Sequence, residues 1–467
     1  MEHIKETDLL IIGGGPGGYV ASLYAAKKGL KVTLVEKRFI GGTCLNIGCI
    51  ATKALVKSAS LFHDAKELNQ YGISAGEVKY DWQLIQERKK AVINQLVGGI
   101  GYLLKAQNVE TIFGVASFID DNTVMVQTDS QNIIYKPKNI IIASGSKVRR
   151  LSIEGSNQPF VVDSEAILSM VKLPKSLTIV GGGIIGMEFA FIFGMLGTEV
   201  TVLEMMPNIL PMVDKDLSQR LLRYAKQSHI NIITQSSVKE YKLNEYNQPT
   251  VVYVKGDTTY ETSSTLILES IGRMPSTDLL SLNHTTVKTK AGGAIEVDCH
   301  LQTNVKHIYA IGDVTNKIQL AHVASHQGIC AVDNILGEEH KMDYDYVPSV
   351  IFTHPQIAFI GLTETCLKER GTPYKVTKVP ASANGRAIIN NDSGLIKLIE
   401  DEATGILIGA QVFGLDAENM IAPLTLAITK KMKALDLKNT IFAHPTTSEL
   451  IHEAALGLKK EAIHYAE

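Results

Sequence analysis

The chain has 467 residues, with 46 Lys or Arg against 48 Asp or Glu, and its formal net charge is −2. This balance leaves no basic face of the kind that binds nucleic acid or an anionic membrane surface, and no apolar run reaches the length of about 18 residues that a membrane-spanning helix needs. Because a single hydrophobic core rarely serves more than about 300 residues, the length predicts three or four domains.

The first predicted elements form a dinucleotide-binding turn. An apolar strand, residues 9–12, is followed by a G-x-G-x-x-G spacing and then by a helical pattern; the three glycines are Gly13, Gly15 and Gly18. The first glycine permits a tight turn, the second lets a pyrophosphate approach the helix N-terminus, and the third lets helix and strand pack closely. A second strand ends at Glu36, which is placed to accept hydrogen bonds from a ribose.

Two cysteines follow this turn. Cys44 and Cys49 occur in the stretch G-G-T-C-L-N-I-G-C, residues 41–49. On a regular helix, residues five apart have their Cα atoms more than about 7 Å apart, which is too far for a disulfide. If the cysteines pair, the helix must be interrupted, and Gly48 is the residue best able to relax the backbone there. The stretch indicates redox chemistry on a disulfide.

The rest of the first unit is predicted from apolar periodicity. Two long helices cover residues 54–66 and 81–105. A strand ends at residues 113–116, near the expected adenine, and an apolar strand at residues 139–143 closes the unit.

The pattern of the first 36 residues recurs 168 positions later without a gap. The matching positions are Gly13 with Gly181, Gly15 with Gly183, Gly18 with Gly186 and Glu36 with Glu204. Two such units predict two dinucleotides, and a flavin can pass electrons between a thiol pair and a nicotinamide.

The second acid indicates which nicotinamide binds. Glu204 would accept hydrogen bonds from the free ribose hydroxyls of NAD and repel the extra phosphate of NADP, for which an Arg is usual. Residues 205–214 contain no Lys or Arg. We therefore expect NAD in the second unit and FAD in the first, which holds the cysteines.

The motifs together resemble the flavoprotein disulfide reductase family, most closely the branch that acts on dihydrolipoyl groups. Besides the cysteine stretch, the similarity rests on I-A-S-G-S at residues 142–146, I-G-R-M-P at 271–275, Y-A-I-G-D at 309–313 and H-P-T-T-S-E at 444–449. It runs essentially from end to end. Three residues depart from the family's usual choices: Ala51 stands for Pro, Ser144 for Thr and His326 for Glu.

The resemblance implies an α/β fold with two Rossmann-like dinucleotide-binding domains and a C-terminal α+β dimerisation domain. It places an FAD-binding domain at residues 1–145 and 273–342, an NAD-binding domain at residues 146–272 and the interface domain at residues 343–467. Strands at residues 396–399 and 406–412 and helices at 416–431 and 448–462 are predicted in this last domain. The implied assembly is a homodimer.

The resemblance also implies the roles of the site residues. Cys44 and Cys49 form the redox disulfide, and His444 is the base, oriented by Glu449 five positions later. In the family this pair reaches the cysteines of the partner chain. Lys53 lies beside the reactive edge of the flavin, and Glu188 is the acid that pairs with it. Other expected cofactor-binding positions are Lys37, Gly42, Thr43, Ala116, Gly145, Glu188, Val238, Gly272, Asp313 and Ala321, and no metal ligand is expected.

The implied reaction is oxidation of protein-bound dihydrolipoyl groups to lipoyl groups, with reduction of NAD. The implied partner is the lipoyl domain or carrier of a 2-oxoacid dehydrogenase or glycine cleavage complex. The first predicted strand begins by Asp8, so we expect no signal or transit segment. Five cysteines, three of them scattered, are typical of a reducing cytoplasm, and we expect a cytoplasmic protein.

Three alternatives remain open. A glutathione reductase-like enzyme would share the thiol pair but should prefer NADPH, which Glu204 opposes. A mercuric reductase would need C-terminal cysteines, and none follows Cys366. A scaffold subunit with vestigial activity is opposed by the retained Cys44, Cys49 and His444.

Overall fold

The computed structural model describes residues 4–466. In that part of the chain the strands are, in order, β1 (Ile4–Ile12), β2 (Val32–Glu36), β3 (Glu110–Phe113), β4 (Val115–Asp120), β5 (Thr123–Gln127), β6 (Asn132–Ile142), β7 (Ser146–Val148), β8 (Val161–Asp163), β9 (Ser176–Val180), β10 (Glu199–Leu203), β11 (Ile230–Ile233), β12 (Ser237–Leu243), β13 (Pro249–Lys255), β14 (Thr258–Ser263), β15 (Leu266–Glu269), β16 (Arg273–Pro275), β17 (Ile308–Ala310), β18 (Ser349–Ile351), β19 (Ile357–Gly361), β20 (Tyr374–Pro380), β21 (Leu395–Asp401) and β22 (Leu407–Phe413).

The helices of the same part are α1 (Pro16–Lys27), α2 (Gly42–Ile47), α3 (Cys49–Lys66), α4 (Trp82–Ala106), α5 (Ser164–Ile167), α6 (Ile184–Met195), α7 (Lys215–Gln227), α8 (Ala321–Ile335), α9 (Glu364–Arg370), α10 (Gly385–Ile389), α11 (Ala417–Thr429), α12 (Ala434–Lys438) and α13 (Glu449–Gly457). Within residues 4–466, none of these helices combines the length and the apolarity needed to span a bilayer.

The first sheet has a parallel centre in the order β3-β2-β1-β6 and an antiparallel edge formed by β5 and β4. Leu9, Leu10 and Ile11 of β1 are fully buried, as expected of a parallel strand that is covered on both faces. β17 also pairs with β6 in parallel, so that Ala310 lies opposite Ile142. Because β17 follows the second dinucleotide turn in sequence, the chain leaves this sheet and later returns to it.

The second sheet is parallel throughout, in the order β11-β10-β9-β15-β8. Here β9, α6 and β10 follow one another as β1, α1 and β2 do in the first sheet, so the repeat in the sequence is a repeat in the structure. An antiparallel sheet, β12-β13-β14, lies beside it. Tyr241 of β12 donates a hydrogen bond to Glu269 of β15 at 2.9 Å, which joins the two sheets.

The third sheet is antiparallel, in the order β18-β19-β22-β21-β20. Helix α11 packs on β19 and β22, and α13 packs on β20 and β21. Both helices lie near the positions that the sequence predicts, but α13 ends at Gly457 rather than at residue 462. The chain turns back there, because the Glu453 carboxylate accepts the N–H groups of Ile463 at 2.6 Å and of His464 at 2.7 Å.

A buried ion cluster joins the second sheet's helix α7 to the third sheet. The Lys397 ammonium, which is fully buried, lies 2.9 Å from carboxylate oxygens of Asp214, Asp216 and Glu364. Gln411 also donates to Asp214 at 2.9 Å. Since Asp214 and Asp216 begin α7 while Lys397 lies in β21, the cluster fixes helix α7 of the second sheet against the third sheet.

Replacing Lys397 by Met is expected to lower the free energy of unfolding by about 3–5 kcal/mol, because it leaves buried carboxylates without their cation. Burial alone would raise the pKa of Glu364, but Lys397 and Lys378 together lower it. The loss should therefore be largest at neutral pH and shrink in acid, where the carboxylates take up protons. Urea unfolding at several pH values measures it. The matched control is Lys378→Met. Because the Lys378 side chain is partly exposed, this change should lower the free energy of unfolding by less than about 1 kcal/mol. Equal losses in the two variants would contradict the role of the buried cluster.

Candidate active site

The two predicted glycine turns have the same geometry. Gly13 and Gly181 adopt φ values of 111° and 112°, which favour glycine. The helices that follow begin after Gly15 and Gly183, and neither N-terminus has a side-chain cap. A Cβ built at either of these two glycines would meet nothing within 4 Å. Each turn therefore leaves the N–H groups of a helix N-terminus open to a phosphate.

The two predicted acids are held by the turns. Glu36 accepts the N–H of Gly14 at 2.6 Å, and Glu204 accepts the N–H of Gly182 at 2.6 Å. The other oxygen of Glu204 accepts the N–H of Met206 at 2.6 Å. These hydrogen bonds fix each carboxylate at the mouth of its turn, where a ribose bound to the turn would lie.

One cavity of about 1240 Å³ joins both turns. Its lining includes most of the predicted positions: Gly13, Gly15, Glu36, Lys37, Gly42, Thr43, Cys44, Cys49, Lys53, Ala116, Gly145, Gly181, Gly183, Glu188, Glu204, Val238, Gly272, Asp313 and Ala321. Four predicted residues lie outside the lining. Gly18 and Gly186 lie beneath their turns, where a Cβ would come within 1.8 Å and 2.0 Å of a glycine carbonyl oxygen. The other two, His444 and Glu449, lie just before and at the start of α13, outside this cavity.

One polar group of the cavity, the Ser144 hydroxyl, indicates a bound ligand. The Ser144 hydroxyl is buried against the cavity and has no hydrogen-bond partner within residues 4–466. A buried polar group without a partner is costly, so a ligand atom is expected there. Asp313 accepts a hydrogen bond from Ser146 at 2.5 Å, and Ser146 in turn accepts one from Arg273 at 2.8 Å.

The two thiols lie on either side of a helix break. Helix α2 ends at Ile47 and α3 begins at Cys49, with Gly48 between them at φ −146° and ψ −122°. This is the interruption that pairing of the cysteines requires, and a Cβ at Gly48 would come 2.8 Å from the Thr43 carbonyl oxygen. Both cysteines are free thiols in this structure.

The thiols differ in acidity. A hydrogen bond with Cys44 lowers the pKa of Cys49 to about 7; burial opposes this shift and the positive charge of Lys53 supports it. The same hydrogen bond, together with burial, raises the pKa of Cys44. Cys49 is therefore the more acidic thiol of the pair, and it loses its proton before Cys44 does.

Lys53 is held by a buried acid. Its ammonium lies 3.0 Å and 2.9 Å from the two carboxylate oxygens of Glu188, which is 4% exposed. Sequence spacing does not bring these residues together; the packing of α3 against α6 does. The Lys53 ammonium also lies 4.6 Å from the ring centroid of Phe352. Sequence reasoning missed Phe352, because it is far from Lys53 along the chain and belongs to no motif of charged or sulfur-containing residues.

His444 and Glu449 form the predicted pair at the start of α13, the helix that packs on the third sheet. The imidazole Nδ1 lies 2.9 Å from Glu449 Oε1, and the second Glu449 oxygen accepts the N–H of Thr446 at 2.9 Å. Burial would raise the pKa of Glu449, but these two contacts lower it. The His444 side chain is 80% exposed and its ring lines no part of the thiol cavity. Within one chain His444 therefore lies apart from the thiol cavity.

Comparison with known proteins gives a consistent result. Residues 7–328 match the profile of the pyridine nucleotide-disulphide oxidoreductases, and residues 347–455 match the dimerisation domain of that family. Dihydrolipoyl dehydrogenases of Bacillus subtilis and Geobacillus stearothermophilus are each 40% identical to this chain, over 455 and 452 residues; the matched segments cover 96% of both chains in each comparison.

Solved structures extend the similarity to three dimensions. The HOCl-induced flavoprotein disulfide reductase RclA from Escherichia coli superposes with a TM-score of 0.85 at 30% identity, covering 96% of this chain and 99% of RclA. LpdA from Mycobacterium tuberculosis superposes with a TM-score of 0.90 at 25% identity, covering 97% of this chain and 99% of LpdA.

Proposed function

The chain belongs to the pyridine nucleotide-disulphide oxidoreductases, and from that premise we propose that it acts as a dihydrolipoyl dehydrogenase, oxidising dihydrolipoyl groups with FAD and NAD. One observation carries the proposal: an acidic thiol, Cys49, and its partner Cys44 line a cavity that joins two dinucleotide turns. The 40% identity to dihydrolipoyl dehydrogenases over nearly the whole chain supports this branch of the family.

The residues of the cavity fit FAD and NAD. The open helix N-terminus after Gly15 suits the FAD pyrophosphate, Glu36 suits its ribose, and the unpartnered Ser144 hydroxyl offers a further hydrogen bond. The turn at Gly183 with Glu204 suits NAD. When bound, FAD supplies the two-electron transfer between the thiol pair and NAD.

The thiol exchange follows from the unequal acidity of the cysteines. In the oxidised enzyme, a substrate thiol loses its proton to His444, and its sulfur attacks Cys44 in the Cys44–Cys49 disulfide. The S–S bond breaks, and Cys49 leaves with the electron pair as a thiolate. A thiol of low pKa leaves faster, so the acidity of Cys49 favours attack at Cys44.

The exchange is completed at Cys44. His444 then accepts the proton of the second substrate thiol, having first released the proton of the first thiol to solvent, and the second sulfur attacks the substrate sulfur of the mixed disulfide. The lipoyl ring closes, the bond to Cys44 breaks, and Cys44 leaves as a thiolate that takes the proton from His444. Glu449 holds Nδ1 of this imidazole, which leaves Nε2 to move the proton.

The base is proposed to act in the partner subunit's site. The dimerisation domain supports a homodimer, and the exposed His444 ring lies outside the cavity of its own chain. A shared site, in which each chain supplies His444 and Glu449 to the thiols of the other, accounts for both observations.

Three further assignments are proposals. The domain division is FAD binding at residues 1–145 and 273–342, NAD binding at 146–272 and dimerisation at 343–467; the return of β17 to the first sheet supports it. The proposed partner is the lipoyl domain or carrier of a 2-oxoacid dehydrogenase or glycine cleavage complex. The proposed location is the cytoplasm, because scattered cysteines are typical of a reducing compartment.

The direct test is steady-state kinetics of the purified protein with dihydrolipoamide. We expect NADH formation with NAD and little NADPH formation with NADP. Reduction of glutathione disulfide by NADPH at a higher rate would instead support the glutathione reductase-like alternative.

Replacing Glu204 by Arg is expected to raise the KM for NAD about tenfold, because a charged acceptor of ribose hydrogen bonds is lost. The same change should lower the KM for NADP, since Arg offers a partner to the extra phosphate. The matched control is Glu204→Gln, which removes the charge without adding a phosphate partner and should not improve NADP. A wild-type enzyme that already prefers NADP would contradict the role of Glu204.

A further inference from the structure

The Lys53 ammonium is held by three contacts from two different parts of the chain. Two are the carboxylate oxygens of Glu188 in α6, at 3.0 Å and 2.9 Å. The third is the face of Phe352, directly after β18, at 4.6 Å from the ring centroid. A lysine side chain is long and flexible, so an ammonium bound on one side only would move readily about the acid.

Phe352 also holds the acid. Its main-chain N–H donates to Glu188 Oε1 at 3.0 Å. The residue before it, Ile351, is fully buried in the same apolar core as Leu55 of α3 and Phe189 of α6. The end of β18 is therefore fixed against both helices of the ion pair, and Phe352 contacts the acid through its main chain and the cation through its ring.

The position of the Lys53 charge matters for the thiols. The charged and titratable groups that act on Cys49 are Cys44 of α2, Lys53 of α3 and Glu188 of α6, and only Lys53 among them is a cation. The attraction between a thiolate and an ammonium falls with their separation, so movement of the Lys53 ammonium away from Cys49 weakens it.

We propose that Phe352 is a positioning residue of the thiol chemistry: its ring and its main-chain N–H together fix the Lys53–Glu188 pair where the ammonium stabilises the Cys49 thiolate. The proposal deepens the proposed function and rests on it. The proposal gives a residue next to the third sheet a role at the thiols of its own chain, whereas His444 is proposed to act on the thiols of the partner chain.

The contacts can be separated by mutation. Phe352→Leu removes the ring but keeps the main-chain N–H on Glu188, and Phe352→Tyr keeps the aromatic face. The readout is the pH midpoint of the long-wavelength charge-transfer absorbance between the Cys49 thiolate and the oxidised flavin, in the two-electron-reduced holoenzyme. We expect Phe352→Leu to raise this midpoint by about half a pH unit, which corresponds to the strength of a cation–π contact. Phe352→Tyr should leave the midpoint at the wild-type value.

Two controls make the result specific. Phe359→Leu in β19 removes a ring that packs against the apolar core, and its midpoint should equal that of the wild type. In a Lys53→Met background, adding Phe352→Leu should cause no further shift, because the cation through which the ring acts is gone. Thermal melting confirms that each variant is folded.

The failures of the two proposals are distinguishable. A wild-type protein without FAD or without the charge-transfer band would overturn the proposed function, and the inference with it. A wild-type protein with the band, and a folded Phe352→Leu protein with an unchanged midpoint, would overturn the inference alone. An equal shift in Phe359→Leu, or a full shift in the Lys53→Met background, would also overturn it.

Discussion

The Cys49→Ser protein is expected to bind FAD but to show no long-wavelength charge-transfer band on reduction, and its oxidation of dihydrolipoamide should fall about a thousandfold or more. A serine hydroxyl keeps its proton at neutral pH, so it can neither leave as an anion from Cys44 nor provide the thiolate that faces the flavin. The absorbance spectrum and steady-state kinetics of the yellow holoprotein measure both effects.

The pH dependence of the band tests the same residue in the wild type. The pKa of Cys49 is lowered to about 7, so its thiolate and the band should be present above that pH and should disappear as the pH falls through it. Cys44→Ser keeps Cys49 and should keep the band while losing turnover. Cys299→Ser changes an exposed cysteine outside the cavity and should alter neither. A correctly folded but colourless protein that takes up no FAD would overturn the whole assignment.

Mixing Cys44→Ser protein with His444→Gln protein is expected to restore activity, although each is inactive alone. In a shared site, the thiols of one chain work with the His444 of the other. Each mixed dimer then combines one doubly defective site with one intact site. Random exchange of subunits makes half of the dimers mixed, so about a quarter of the wild-type activity should return.

The control for this experiment is a proof that subunits exchange, for example by purifying mixed dimers through two different tags. If each site were built within one chain, every chain would carry its own defect and no activity would return. Persistent inactivity of demonstrated mixed dimers would therefore refute the cross-subunit role of His444 and Glu449.

The dinucleotide turns could be predicted from sequence because their signals are local. A glycine with positive φ, a helix that starts three residues later and an acid at the end of the next strand all lie within one strand-turn-helix-strand unit. Gly13 and Gly181, 168 positions apart, accordingly adopt nearly the same φ. The helix break at Gly48 was also predictable, because helix geometry requires an interruption there if the two cysteines are to pair.

Other features depend on contacts between segments that are distant in sequence. Lys53 meets Glu188 only because α3 packs on α6, and Phe352 joins them because the third sheet ends against both helices. The fully buried Lys397 gave no sequence signal, since a lysine in a strand is usually exposed, and three carboxylates from other elements had to be folded around it.

The sequence by itself determined the dinucleotide turns, the thiol pair and the family, because each is set by spacing within a short segment. Only the tertiary structure decided which groups make Cys49 the more acidic thiol, that Phe352 also contacts Lys53, and that His444 lies outside the cavity of its own chain. The physical reason is that pKa values and ion pairs depend on burial and on charges brought from afar, and those are consequences of how the elements pack.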